Sequence, residues 1–164
     1  SLSNTVGGAI FHDGNLLPGD AFRCGEAGHM TLIPDGKPCY CGKTGCVDAY
    51  CSARVLSDLS GGRLEDFFLE LQQNNREYRP VWDTYLKHLS VVINNLHMTL
   101  DYDIVLGGYV GSFLTPWLDT IRHLVAERNT FEDDGSFVKL CTYQTGAAAY
   151  GAAMDVMEEF LRTV

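Results

Sequence analysis

Apolar positions recur along this chain with two different periods, and the change from one to the other divides it. Thr5 to Phe11 is β-rich, and His12-Asp13-Gly14-Asn15 follows as a turn whose Asp-Gly pair is a hairpin signal, with Leu16-Leu17 as a short return strand. Gly19 to Gly28 reads as a loop, His29–Ile33 as a further strand, and residues 34–46 as loop again, because Pro34-Asp35-Gly36-Lys37-Pro38 is turn chemistry. Helical spacing then takes over. It predicts helices over Val47–Leu59, stopping at Gly61-Gly62, and over Leu64–Gln73, with Leu64, Phe67, Phe68 and Leu71 on one stripe. A long helix is predicted over Tyr78–Leu100, with Val81, Tyr85, Leu89, Val92, Leu96 and Leu100 on a common face. Asp103–Leu106 is a short buried strand entering Gly107-Gly108, Phe113–Asn129 a helix, Phe137–Cys141 the last strand, and Thr145–Leu161 an Ala-rich closing helix.

Hairpins first, then helices with interspersed strands, predict a three-layer α/β domain with a mixed sheet. The Leu106-Gly107-Gly108 turn ends a strand at the carboxyl edge of that sheet, where ligands tend to bind. A length of 164 residues fits one domain, 1–164, large enough to bury a core without staples. The chain opens SLSNTVGGAIF with no Met, and a domain that starts inside a strand is expected to be the later part of a longer unit.

Composition changes the picture in two respects. The net charge of -9 argues against a nucleic-acid surface in this stretch, because phosphate contacts need a basic face. No apolar run approaches the ~20 residues of a membrane span, and no secretory signal precedes the first strand, so a cytoplasmic setting is the expectation.

The candidate chemistry lies in GEAGHMTLIPDGKPCYCGKTGC, residues 25–46. His29, Cys39, Cys41 and Cys46 supply the nitrogen and sulfur donors that a structural zinc ion needs. Cys-x-Cys offers two thiolates from neighbouring turn positions, and Gly42 and Gly45 let the backbone curl so that Cys46 points back. A disulfide is the competing reading, and it needs an oxidising compartment that nothing in the sequence indicates. The loop has few apolar residues, so metal would supply the order that burial cannot. Cys24, Cys51 and Cys141 are scattered and are given no metal role.

These residues resemble the ROK family, named for repressors, open reading frames and sugar kinases. The resemblance rests on Gly25-Glu26-Ala27-Gly28-His29 and Cys39-Tyr40-Cys41-Gly42-Lys43-Thr44-Gly45-Cys46. It extends to Gly7-Gly8-Ala9-Ile10 with the Asp13-Gly14 turn, to Val105-Leu106-Gly107-Gly108, and to the glycine-alanine runs at 146–148 and 151–153. It implies the carboxyl-terminal lobe of an actin-like, ribonuclease-H-like fold, with a sugar cleft between two lobes. By the same resemblance, Glu26 and His29 stand at sugar-binding positions, and His29 would join the metal to the cleft. Asp48 stands where the family carries Glu on the sugar. It is shorter by one methylene, and would reach the sugar directly, through a water, or serve the helix start instead. Gly7, Gly107 and Gly108 stand on the nucleotide side.

The kinases of the family place a glycine-rich phosphate turn where this chain reads Ser3-Asn4-Thr5-Val6-Gly7, and their catalytic Asp lies in the other lobe. On those two grounds the chain is expected to be the effector-sensing lobe of a sugar-responsive regulator, not an enzyme. The kin in view are repressors of the N-acetylglucosamine or xylose type. The alternatives are the same lobe of an ATP-dependent sugar kinase and a zinc-stabilised interaction module. The expected partners are a sugar or sugar phosphate, DNA only through a domain outside this stretch, and a second copy. The resemblance implies that homodimer, with the helices 78–100 and 113–129 offering apolar faces.

Overall fold

A computed structural model describes residues 1–163; Val164, the last residue of the expected domain, lies outside the described residues. The fold is α/β, with helices flanking a small parallel sheet. Its mass is helical. Helix α3 (Leu64–Gln72) and helix α4 (Tyr78–Leu100) form where the apolar stripes predict them. Asp101 ends α4 in the left-handed region, its N–H donated to His97 O, a common way to stop a helix. The buried stripe of α4 includes Trp82, Tyr85, Leu86, Leu89 and Ile93. It faces α3 and helix α6 (Leu118–Ala126), which contributes Ile121 and Val125. Aromatic rings fill the centre: Phe68 stacks on Phe113 at 4.2 Å, and Trp82 packs edge-on to Trp117 at 5.4 Å.

Three helical expectations shift, each for a local reason. The 47–59 segment splits into α1 (Asp48–Cys51) and α2 (Arg54–Ser57), because Ser52 adopts extended backbone and the Ala53 N–H is taken by Ser3 O at 2.7 Å. The 113–129 helix begins at Leu118, because Pro116 cannot donate an amide to the helix ladder and sits in a separate short turn over Thr115–Trp117. The third is an added one-turn helix, α5 (Gly108–Gly111), which starts on the second glycine of the pair with Gly107 extended ahead of it.

The strands depart further. Phe11–His12 (β1) and Asn15–Leu16 (β2) pair antiparallel, and Ile104–Leu106 (β3) pairs parallel with Val138–Leu140 (β4). These are two separate two-stranded pieces where one mixed sheet was expected. Among the described residues, no strand bridges Gly8–Ile10 to the free edge of β3. An apolar cavity of about 330 Å³ lies there instead, lined by Ile10, Leu89, Val92, Leu96 and Val105. Residues 29–33 make one bridge, Thr31 to Cys46, and no strand. The closing helix α7 (Ala147–Thr163) projects outward, with Tyr150, Met154, Met157 and Leu161 exposed. Among the described residues, no helix is long and apolar enough to cross a membrane.

The apolar faces of α4 and α6 are spent on each other in the core. Leu89, Val92 and Leu96 of α4 nonetheless line the cavity beside β3, so part of that face stays open.

Candidate functional site

The loop between Met30 and Val47 is held mainly by its own backbone. Cys39 N–H donates to Lys43 O at 2.8 Å and Gly42 N–H to Cys39 O at 3.0 Å, closing a tight turn. Leu32 N–H and Ile33 N–H both donate to Gly45 O. Gly45 has φ +78, and a Cβ there would strike Ile33 O, so no other residue fits without strain. The turn brings His29, Cys39, Cys41 and Cys46 together, with all four ligand atoms within 4.8 Å of one another. This set can hold a metal ion. Cys39 and Cys46 are buried and Cys41 is exposed. Burial pushes the Cys46 thiol up to about 11, while the Lys43 backbone amide lowers that of Cys41. Cys24, Cys51 and Cys141 stand apart from the cluster, and burial pushes the Cys51 thiol up to about 12, as expected of a core residue.

His29 looks two ways. Its Nδ1 lies 3.9 Å from Cys39 Sγ, and its Nε2 lies 3.1 Å from the Tyr40 hydroxyl. Nε2, the nitrogen turned away from the cysteines, is thus met by the Tyr40 hydroxyl. The Tyr40 phenol is raised above its ordinary value, first by lost solvation and then by the charges of Asp48, Cys39 and Glu26. Glu26 is exposed. The sequence assigns Tyr40 no role, and its place beside His29 comes from the closure of the Cys39–Gly42 turn.

Asp48 is buried, only 6% exposed, and its Oδ1 accepts the Val6 N–H at 2.6 Å. This contact spans 42 positions and joins the start of α1 to the segment leading into Gly7-Gly8. The same segment touches the 25–29 loop backbone to backbone. A Cβ on Gly28 would strike Val6 O, and one on Gly25 would strike Gly8 O.

On the far side of Gly7-Gly8 lies a second cavity of about 700 Å³. Gly7, Gly107 and Gly108 all line it, with Ser3, Tyr109 and Gln144. Its base is tied by Leu2 N–H to Gly107 O at 2.7 Å and Val110 N–H to Leu2 O at 2.9 Å. Turns rich in glycine expose backbone N–H groups, which suits phosphate oxygens.

Comparison with known proteins adds the family context. The ROK family model matches residues 1–159. An N-acetylmannosamine kinase of Escherichia coli is 31% identical over 168 residues, covering 98% of this chain and 56% of the kinase. A ROK family protein from Streptococcus pneumoniae, solved in complex with sucrose, superposes with TM-score 0.78 at 20% identity, over 98% of this chain and 57% of that one. A ROK family glucokinase from Streptomyces griseus, solved with glucose and AMPPNP, gives TM-score 0.74 at 21% identity, over 89% and 55%. The chain therefore spans little more than half the length of these relatives.

These findings correct the expectation that the chain is not an enzyme, because the relatives at 31% identity are kinases. That expectation leaned on a catalytic Asp missing from this stretch. A match covering 56% of a kinase leaves such a residue to the remainder. It leaned also on non-glycine residues at 3–6, yet Gly7, Gly107 and Gly108 still line an open cavity.

Proposed function

The chain belongs to the ROK family, and from that premise we propose that it is the sugar-holding carboxyl-terminal lobe of an ATP-dependent sugar kinase acting on an N-acylated hexosamine. The observation that carries this reading is the seam between two sites. The Glu26–His29 loop and the glycine-lined cavity meet backbone to backbone at Gly25 and Gly8, so a sugar on one side and a nucleotide on the other would be neighbours. The match to N-acetylmannosamine kinases supports the choice of sugar class.

In this reading the Glu26 carboxylate accepts hydrogen bonds from two adjacent sugar hydroxyls, and His29 Nε2 meets a third as Tyr40 moves aside. The amides around Gly7, Gly107 and Gly108 hold phosphate oxygens. Metal ion and general base on the phosphoryl side belong to the remainder of the protein.

The Cys/His cluster would hold zinc. Cys41 Sγ and Cys46 Sγ are 3.7 Å apart. Two thiolates about 2.3 Å from a tetrahedral ion would keep about 3.8 Å between them. Such an ion fixes the tautomer of His29 and orders the loop, and it supplies no chemistry to the transfer. A homodimer in the cytoplasm completes the proposal.

The deciding experiment is ATP turnover by the whole protein with N-acetylmannosamine, N-acetylglucosamine and glucose. Sugar-dependent ADP release, fastest with an N-acylated sugar, is the expected result. Sugar binding by calorimetry without turnover would overturn the kinase reading and favour a sugar-responsive regulator.

A further inference from the structure

Asp48 stands at a position where the sequence reading expects a sugar contact, yet its geometry points elsewhere. The carboxylate is buried, and Oδ1 accepts the Val6 N–H at 2.6 Å. A hydrogen bond from a backbone amide to a charged acceptor is among the stronger ones a fold can make. Val6 is the last residue before Gly7-Gly8, and it is gripped from both sides. Its N–H belongs to Asp48, and its carbonyl lies against Gly28 so closely that no side chain fits between. Gly8 in turn abuts Gly25. Two residues before Asp48, Cys46 belongs to the Cys/His cluster.

We propose that Asp48 is a positioning residue that fixes the Val6–Gly8 backbone against the sugar loop, and so sets the phosphate-side wall of the neighbouring cavity, instead of serving as a direct sugar ligand. The shorter side chain suits this work. Seated at the start of α1, the carboxylate reaches the Val6 amide from a buried position. A residue in this role needs an acceptor oxygen at Oδ1 and does not need its charge to face the cleft. Asp48→Asn keeps that oxygen, and Asp48→Ala removes it. A direct sugar contact makes a different demand, because an amide in place of a carboxylate loses charge-assisted acceptance from hydroxyls.

The activity part of the test rests on the kinase reading, and the exchange part does not. Hydrogen exchange of the whole protein is expected to show the Val6 amide protected in the native protein and in Asp48→Asn. In Asp48→Ala that protection falls roughly tenfold or more, as loss of a hydrogen bond to a charged group implies. In the sugar-kinase assay, Asp48→Ala is expected to lower kcat/KM for ATP by a similar factor. Sugar Kd by calorimetry stays within about threefold of native in both variants, a change smaller than one typical hydrogen bond is worth. Asp48→Asn should restore most of the ATP term, which a merely structural lesion would not do selectively. A tenfold loss of sugar affinity in Asp48→Asn with Val6 still protected would overturn the proposal and make Asp48 a sugar ligand. Unchanged Val6 exchange in Asp48→Ala would overturn it as well. Should Asp48→Ala fail to fold, Asp48→Asn alone decides through sugar affinity and Val6 exchange. Absence of turnover in the native protein would sink the kinase reading, while the exchange measurements still judge Asp48.

Discussion

Two regions of this molecule acquire their order by opposite means. Between Leu64 and Val125, side chains do the work: Trp82, Phe67 and Leu86 are at most 2% exposed, and α3, α4 and α6 close around them. Between Met30 and Cys46, almost every residue is exposed or half-buried, and the shape depends on backbone hydrogen bonds, a glycine in the left-handed region, and four converging donors. The first region would hold its form in any solvent that drives apolar burial. The second has little to bury, and its order should depend on a ligand. Stability and recognition are thus assigned to different parts of one chain.

The contrast can be broken most forcefully from the core side. Trp82→Ala removes a fully buried ring that contacts Phe68, Tyr85 and Trp117. It should cost roughly 3–5 kcal/mol in denaturant unfolding, with metal content per folded chain unchanged. A loss below about 1 kcal/mol would show that the core does not carry the fold.

Cys41→Ser or treatment with a chelator should act the other way. Zinc by elemental analysis should fall from about one per chain toward none. Amide protection should collapse over residues 30–46, while α3 and α4 remain protected. Equal loss of protection in α4 would erase the distinction between the regions.

The smallest effect sharpens the contrast. The Cys46 thiol, pushed up to about 11, is protonated at neutral pH without metal. A metal ion requires the thiolate, so binding must expel that proton. Affinity should therefore rise as pH is raised and fall as it is lowered, by about tenfold per pH unit for each proton released. Calorimetry in buffers of different ionisation enthalpy measures the number released, and a value of zero would contradict the protonated state.

How far the sequence could be read follows the same division. The bounds of α3 and α4 and the stripe of α3 were legible almost to the residue, because apolar period and burial coincide there. On α4, Tyr85, Leu89 and Val92 are buried as expected, but Val81, Leu96 and Leu100 are half-buried while Trp82, Leu86 and Ile93 take the centre. Pro116 was visible in the sequence, yet the predicted helix ran across it, and the true start at Leu118 was missed. The 5–11 strand was misjudged, because β-propensity says nothing about whether a neighbouring strand is at hand to receive it. The cluster of His29 with three cysteines was readable from spacing alone. The tie from Asp48 to Val6 was not, because its acceptor is named by the sequence but its donor is a backbone amide 42 positions away. The place of Tyr40 on His29 was likewise hidden, because it depends on how the turn over Cys39–Gly42 is closed.

The seam at Gly8, Gly25 and Gly28 has a consequence for redesign. Backbone lies on backbone there, and a single added carbon collides with a carbonyl. If the site holds a sugar as proposed, that wall offers no freedom to a bulkier one. Tyr40 is different: it is 65% exposed and can be shortened without displacing a neighbour's main chain. Libraries that vary position 40 and hold the three glycines fixed would search the part of the cleft that can still change shape.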